Sequence, residues 1–214
     1  MTQQVPVGEL QVGAWIAALG RMSGRHPDMA RILGVVERLQ DRPYRSHVII
    51  YGEPGTGKEG LAKLLHRLMH APSHAELSSS STIANPPLSR LSLLGLSPAA
   101  MDSTFAEGVL GKARGGSVII DEILELSPSH QRRLYDELSQ QRWESPSESA
   151  SVIAITDGDL DAAVMSGRLR HDLAYKLGRI VLRVPPLRER PEDLSHSALW
   201  MVNRILRGRG DTRV

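Results

Sequence analysis

The sequence predicts an α/β protein built on a parallel sheet with helices over both faces. Three observations carry that expectation. Strand-length apolar runs alternate with helical patterns along the chain. One strand runs straight into the glycine-rich segment Gly52–Lys58, and a later one ends in two adjacent carboxylates, Asp121 and Glu122. Strands of about four to six residues alternating with helices are the pattern of a parallel sheet buried on both sides.

The elements follow in order. Met29, Ile32, Leu33, Val36 and Leu39 recur at helical spacing, and Asp41-Arg42-Pro43 closes that helix. His47–Gly52 reads as a buried strand, followed by a helix from Lys58 to His70. Ser78–Ser81 leads to the Pro86-Pro87 break. Val118–Asp121 reads as a strand, Ser129–Gln140 as a helix and Ser145–Ser151 as a polar loop. Val152–Thr156 is a further strand, Leu160–Leu177 is mostly helical, and Ile180–Val184 is the last strand. The tail begins a helix at Pro191. Near the start, Leu10, Val12, Trp15, Ile16 and Leu19 give Gly8–Met22 an apolar face, the mark of a packing helix.

Composition narrows the function classes. A chain of 214 residues suits one domain, and 41% hydrophobic residues suffice for its core. With no cysteine there is no disulfide framework, thiolate zinc site or Cys nucleophile, which suits a reducing cytoplasm. Lys plus Arg number 26 against 24 Asp plus Glu, a surplus too small for a nucleic-acid footprint. Aromatics are 4%, with Phe105 the only phenylalanine, so a stacking platform for single strands is not expected. Apolar runs such as Val48–Tyr51 and Val118–Ile120 fall far short of a membrane span. The first six residues lack the basic start and apolar stretch of a secretory signal. A soluble cytoplasmic protein is the expectation.

Four segments carry chemistry. Gly52-Glu53-Pro54-Gly55-Thr56-Gly57-Lys58 is a G-x-x-x-x-G-K phosphate loop with a strand before it and a helix after it. Its backbone N–H groups can converge on phosphate oxygens, the helix points its positive end at them, and Lys58 reaches the terminal phosphates. Glu59 stands where a Ser or Thr hydroxyl usually meets magnesium. Asp121 would hold magnesium through water, and Glu122 would polarise the attacking water. Asp157, ending the next strand, is either a sensor of the terminal phosphate or the N-cap of the helix near Leu160. Arg168, Arg170 and Lys176, then Arg188 and Arg190, are either solvated salt-bridge partners or include a finger reaching a neighbour's nucleotide.

With these in order, the chain resembles the AAA+ ATPase domain of the sigma-54-dependent transcription activators. The matching segments are Gly52–Glu59, Gly115-Gly116-Ser117 through Ile123, and Val184-Pro185-Pro186-Leu187-Arg188-Glu189-Arg190. Gly24, Pro27 and Met29 resemble the family's opening segment near the adenine pocket, and Glu59 is normal for the family. The resemblance implies a P-loop three-layer sandwich with five parallel strands and the phosphate-loop strand at its centre. It divides the chain into a helical extension (1–22), a nucleotide-binding core (23–187) and the start of a truncated helical lid (188–214). It implies ATP and Mg²⁺ as ligands, and a ring in which Arg170 is the first arginine finger. Lys176 falls at the second finger, a point charge where the family uses a fork. Asp157 takes the place of a sensor asparagine, an acceptor where the family has an amide donor. An ungapped count places Ser80 where the family's second strand carries the asparagine that holds the catalytic glutamate.

The departures fall on the segments that grip sigma-54. Between Gly95 and Gly108 there is no Gly-Ala-Phe-Thr-Gly-Ala tip, and the loop after Trp143 is several residues shorter than the family's. The resemblance therefore implies an ATP-binding, slowly hydrolysing transcription regulator that has lost the sigma-54 contact. Its partner would be another protein of transcription regulation, and its ring would be weakened by the shortened lid. The sequence carries no DNA-binding motif. A nucleotide-held interaction module with little turnover is the second expectation. A competent activator using Phe105 as its tip residue is the third.

Overall fold

The structure is a computed structural model that describes residues 26–41, 45–70, 86–141, 148–195, 197–198 and 202. The expected 1–22 helix, Gly24, Ser80, Trp143 and the end of the tail lie outside the described residues.

Five parallel strands form one sheet: β1 (Val48–Tyr51), β2 (Leu88–Ser92), β3 (Ser117–Asp121), β4 (Ser151–Thr156) and β5 (Ile180–Arg183), in the order β2-β3-β4-β1-β5. The phosphate-loop strand β1 is interior, between β4 and β5, but the centre belongs to β4. The register brings the strand ends to within a residue of one another: Tyr51 lies opposite Thr156 and Arg183, and Asp121 opposite Ser92 and Ile155. All the residues that follow these strands therefore share one sheet edge, where open α/β sheets bind ligands.

Alternation along the strands divides the core into two layers. Val48, Ile50, Ile119, Ile153 and Leu182 face α1 (Pro27–Asp41) and α2 (Lys58–Met69), burying Met29, Ile32 and Leu39 of the first helix and Leu61 and Leu65 of the second. Ile49, Val118, Ile120, Val152 and Ala154 face the opposite layer. That layer contains α3 (Pro98–Ala106), α4 (Pro128–Gln140), α5 (Leu160–Met165) and α6 (His171–Leu177). Each fully buried aliphatic side chain contributes about 1.5–3 kcal/mol, which makes the two layers the main source of stability.

Several elements differ from the sequence reading. The single helix expected over Leu160–Leu177 is two, because Gly167 takes φ 75° between them and Arg170 starts the second in extended conformation. The tail's expected helix opens as a 3₁₀ turn, Pro191–Asp193. The second strand is Leu88–Ser92, which places Ser92 opposite Asp121 at the sheet edge.

The segment between Gly95 and Gly108 folds as α3. Ser97 caps it, accepting from the Ala100 N–H at 3.3 Å, and Pro98 occupies the first turn. Met101 and Phe105 are buried, and the Phe105 ring lies 4.9 Å from the His130 ring. Phe105 is thus a core residue, not an exposed tip. Among the described residues, no helix is long and apolar enough to cross a membrane.

Candidate nucleotide site

The site begins where β1 ends. Gly52 has φ 148°, and a Cβ there would sit 2.4 Å from the Val184 carbonyl oxygen, so only glycine lets β5 and the loop approach so closely. Gly57 has φ 98° and ψ 16° at the start of α2, and no side chain caps that end of the helix. The first N–H groups of an α-helix have no intrahelical partner, so this end is open to an anion. The loop and helix start form a cradle built almost wholly from backbone.

Lys58 is buried and folded against the loop. Its Nζ donates to the Gly52 carbonyl at 2.6 Å and to the Glu53 carbonyl at 2.7 Å, and lies 2.5 Å from Asp157 Oδ1. Asp157 therefore meets the phosphate-loop lysine directly. It does not cap α5. That role belongs to Asp159, whose Oδ1 accepts from the Ala162 N–H at 2.9 Å.

Glu122 follows β3 with φ 59° and ψ 57°, the one non-glycine residue with positive φ among the described residues. A left-handed conformation costs an L-residue about 1–2 kcal/mol and is commonly kept where geometry serves a site. The turn aims the carboxylate across to the end of β4. There Oε1 accepts from the Asp157 N–H at 3.0 Å and Oε2 from Thr156 Oγ1 at 3.3 Å. Burial, and then the Asp157 charge, raise its pKa above the ordinary glutamate value.

The acidic groups flanking the loop are already engaged. Arg90, on the edge strand β2, donates from Nη2 to Asp121 Oδ2 at 2.7 Å and from Nη1 to Glu59 Oε1 at 3.0 Å. Glu59 also pairs with Lys63 one turn along α2, at 2.7 Å. Asp121 was expected to hold magnesium through water, but its Oδ2 already accepts from the Arg90 guanidinium, and Glu59 Oε1 accepts from the other terminal nitrogen. Magnesium does not fit this donor set as it stands. Among the described residues no group of three or more His, Asp or Glu side chains is arranged to hold a metal.

On the other side, the Leu187–Arg190 segment grips the phosphate loop. Arg188 pairs with the Glu53 carboxylate through both terminal nitrogens and holds it below the usual glutamate pKa. Arg190 is buried and its Nη2 lies 3.5 Å from the Thr56 carbonyl. Arg183 links Asp28 of α1 at 2.8 Å to Glu189 at 2.9 Å, tying the opening helix to the same segment.

The finger candidates stand apart from this centre. Arg170 precedes α6, and its backbone N–H donates to Gln131 Oε1 at 2.8 Å. The buried Gln131 also donates to the Arg168 carbonyl at 2.8 Å, fixing the chain on both sides of Leu169. The Arg170 guanidinium forks onto Asp172, at 3.0 and 2.6 Å, on the surface. Lys176 is half-exposed on the same helix.

Sequence reasoning had placed the phosphate loop, the acidic pair and Asp157, and the structure brings them together at one sheet edge. It missed Arg90, because nothing local marks a strand arginine whose partners lie 31 residues away in each direction. For Arg188 and Arg190 it offers solvated salt bridges or a finger, and the structure turns Arg188 onto Glu53 and buries Arg190 beside Thr56.

A phosphate loop between a buried strand and a helix, with an acidic pair at the adjoining edge of a 2-3-4-1-5 parallel sheet, defines a P-loop nucleotide-binding domain of the AAA+ class. The profile of the sigma-54 interaction domain matches residues 22–183, more than half of the chain, and the chain belongs to that family. It is 31% identical over 207 residues to the Nif-specific regulatory protein of Azotobacter vinelandii, covering 87% of this chain and 37% of that protein. It is 32% identical over 155 residues to the phenol regulator MopR of Acinetobacter guillouiae, covering 69% of this chain and 28% of that protein. The chain thus spans about a third of the length of the curated relatives it matches. NtrX from Brucella abortus, solved with ATP, shares the fold at TM-score 0.68 and 22% identity, over 94% of this chain and 45% of that one.

Proposed function

We propose that this chain is the ATP-binding core of a sigma-54-activator-like transcription regulator that hydrolyses ATP slowly and no longer grips sigma-54. The carrying observation is the uncapped start of α2 behind a glycine-rich loop, with Lys58 and Glu122 at the same edge. The loop amides and Lys58 hold the phosphates. Glu122 orients and polarises the water that attacks the terminal phosphorus, and ADP leaves as the new P–O bond forms. Two features support slow turnover. Lys58 is shared with Asp157, and the Glu122 carboxylate is held by Thr156 and the Asp157 amide.

Loss of the sigma-54 grip is supported by α3. The segment that should project a flexible contact tip is a capped helix with its one phenylalanine turned into the core. The partner would then be another protein of transcription regulation, met in the cytoplasm. The relatives point the same way: NtrX was solved with ATP, and the curated relatives are regulators.

The second reading is a nucleotide-held interaction module with little turnover. The pairing of both Lys58 and Asp121 with protein groups favours it. In either reading Arg170, half-buried and paired with Asp172 rather than with its own phosphate loop, acts only on a neighbour's nucleotide within a ring. Steady-state ATP hydrolysis against protein concentration, with Glu122→Gln and Arg170→Ala alongside, separates the readings. Activity that rises cooperatively and falls in both variants is expected of the regulator. Tight ATP binding without turnover at any concentration would leave the interaction module.

A further inference from the structure

Arg90 occupies a particular place. It rises from β2 beside Ile119 of β3, and its guanidinium bridges Glu59, the residue after the phosphate-loop lysine, and Asp121, the residue that ends β3. These two carboxylates flank the cradle where a divalent cation would be held through water. Each of Arg90's terminal nitrogens donates to one of them, at 3.0 and 2.7 Å, and Asp121 is only a quarter exposed. Lys63 supplies a further cation to Glu59.

The electrostatic consequence is direct. Without a cation, Glu59 and Asp121 would present two negative charges to a polyphosphate, and binding would depend on a metal to screen them. With Arg90 in place, that screening is covalently part of the chain. A guanidinium is always charged and its planar fork matches two carboxylates at once, so it competes well with a hydrated ion for the same oxygens.

We propose that the Arg90 guanidinium takes the place of the divalent cation in this site, so that the domain binds a nucleoside triphosphate as the metal-free anion. The inference rests on the nucleotide-binding reading above. It separates binding from hydrolysis: the chain holds its nucleotide in the absence of magnesium.

The test is calorimetric titration of ATP into the full chain, in buffer with EDTA and in buffer with magnesium. The wild-type Kd is expected to agree within about twofold between the two, a difference well under the tenfold that 1.4 kcal/mol represents. Arg90→Gln is expected to lose about tenfold or more in EDTA and to regain affinity with magnesium. A wild-type affinity that collapses on chelation overturns the proposal and leaves the nucleotide reading intact. An Arg90→Gln protein that binds as tightly as wild type in EDTA also overturns it. Absence of ATP binding in both buffers overturns both readings. The wild-type comparison needs no variant, so misfolding of a mutant cannot mask the result.

Discussion

Lys58 and Asp157 meet at 2.5 Å between Nζ and Oδ1, across the gap from α2 to the end of β4. The lysine is buried to 7% exposure, and two backbone carbonyls complete its ammonium shell. An acceptor-only carboxylate therefore holds the cation that the phosphates would otherwise claim. Substituting Asp157→Asn removes that charge and keeps the side-chain shape. ATP affinity is expected to rise about tenfold, the size of one screened charge contact near a protein surface. Fluorescent nucleotide titration of the two proteins checks this. Equal or weaker binding by the variant would mean that Asp157 assists the nucleotide.

Glu122 gives a pH-dependent signature. Its native pKa is raised, first by burial and then by the Asp157 charge, so the folded state holds its proton more tightly than the unfolded chain. For an acid shifted upward, the charged form is the strained one. Its destabilising effect is absent below the ordinary glutamate range and grows as pH rises through the native pKa. Glu122→Gln should therefore melt about 1–3 °C above wild type at neutral pH and converge with it near pH 4. Thermal scans at several pH values decide it. A constant offset across the range would point to packing instead.

The fold was legible because its strongest signals are local. The strand before Gly52, the glycines of the loop and the carboxylates ending β3 all lie within short windows, and the register then aligned them without further instruction. The start of α4 was read to within a residue where Ser127 and Pro128 stand, whereas α3, with Ser97 and Pro98 at its start, was not read as a helix. What escaped depended on distant pairing. Leu88–Ser92 is a half-exposed edge strand with Ser89 and Ser92 and little apolar run, so neither its place nor the reach of Arg90 shows in its own residues. Asp157 was open between sensor and helix cap, and the cap is Asp159, two residues further on, which spacing alone does not decide.

Buried histidines make the fold sensitive to acid. Burial lowers the pKa of both His47 and His66 to about 4, with Lys176 adding to the shift at His47 and Arg67 at His66. His47 Nδ1 accepts from the Val152 N–H at 3.1 Å, which requires the neutral ring. For a base shifted downward, the unfolded chain takes up protons first, so stability falls as pH drops from about 6.5 toward 4. Each ring is expected to cost the native state on the order of 2 kcal/mol at pH 5. Urea midpoints at pH 7 and pH 5 measure the loss. A midpoint that does not move would show that both rings are protonated in the native state without penalty.

Phe105 separates a core residue from a contact residue. It is 4% exposed, sits on α3 against His130 and shares the core layer with Met101, Leu134 and Leu138. An exposed tip residue can be truncated with little effect on folding, whereas removing a buried phenylalanine leaves a cavity. Phe105→Ala is expected to lower unfolding free energy by about 3–5 kcal/mol, and Phe105→Leu by much less because most of the volume is kept. Chemical denaturation of both variants gives the answer. A stability change under about 0.5 kcal/mol for the alanine variant would place the ring outside the core and return α3 to the role of a partner-contact segment.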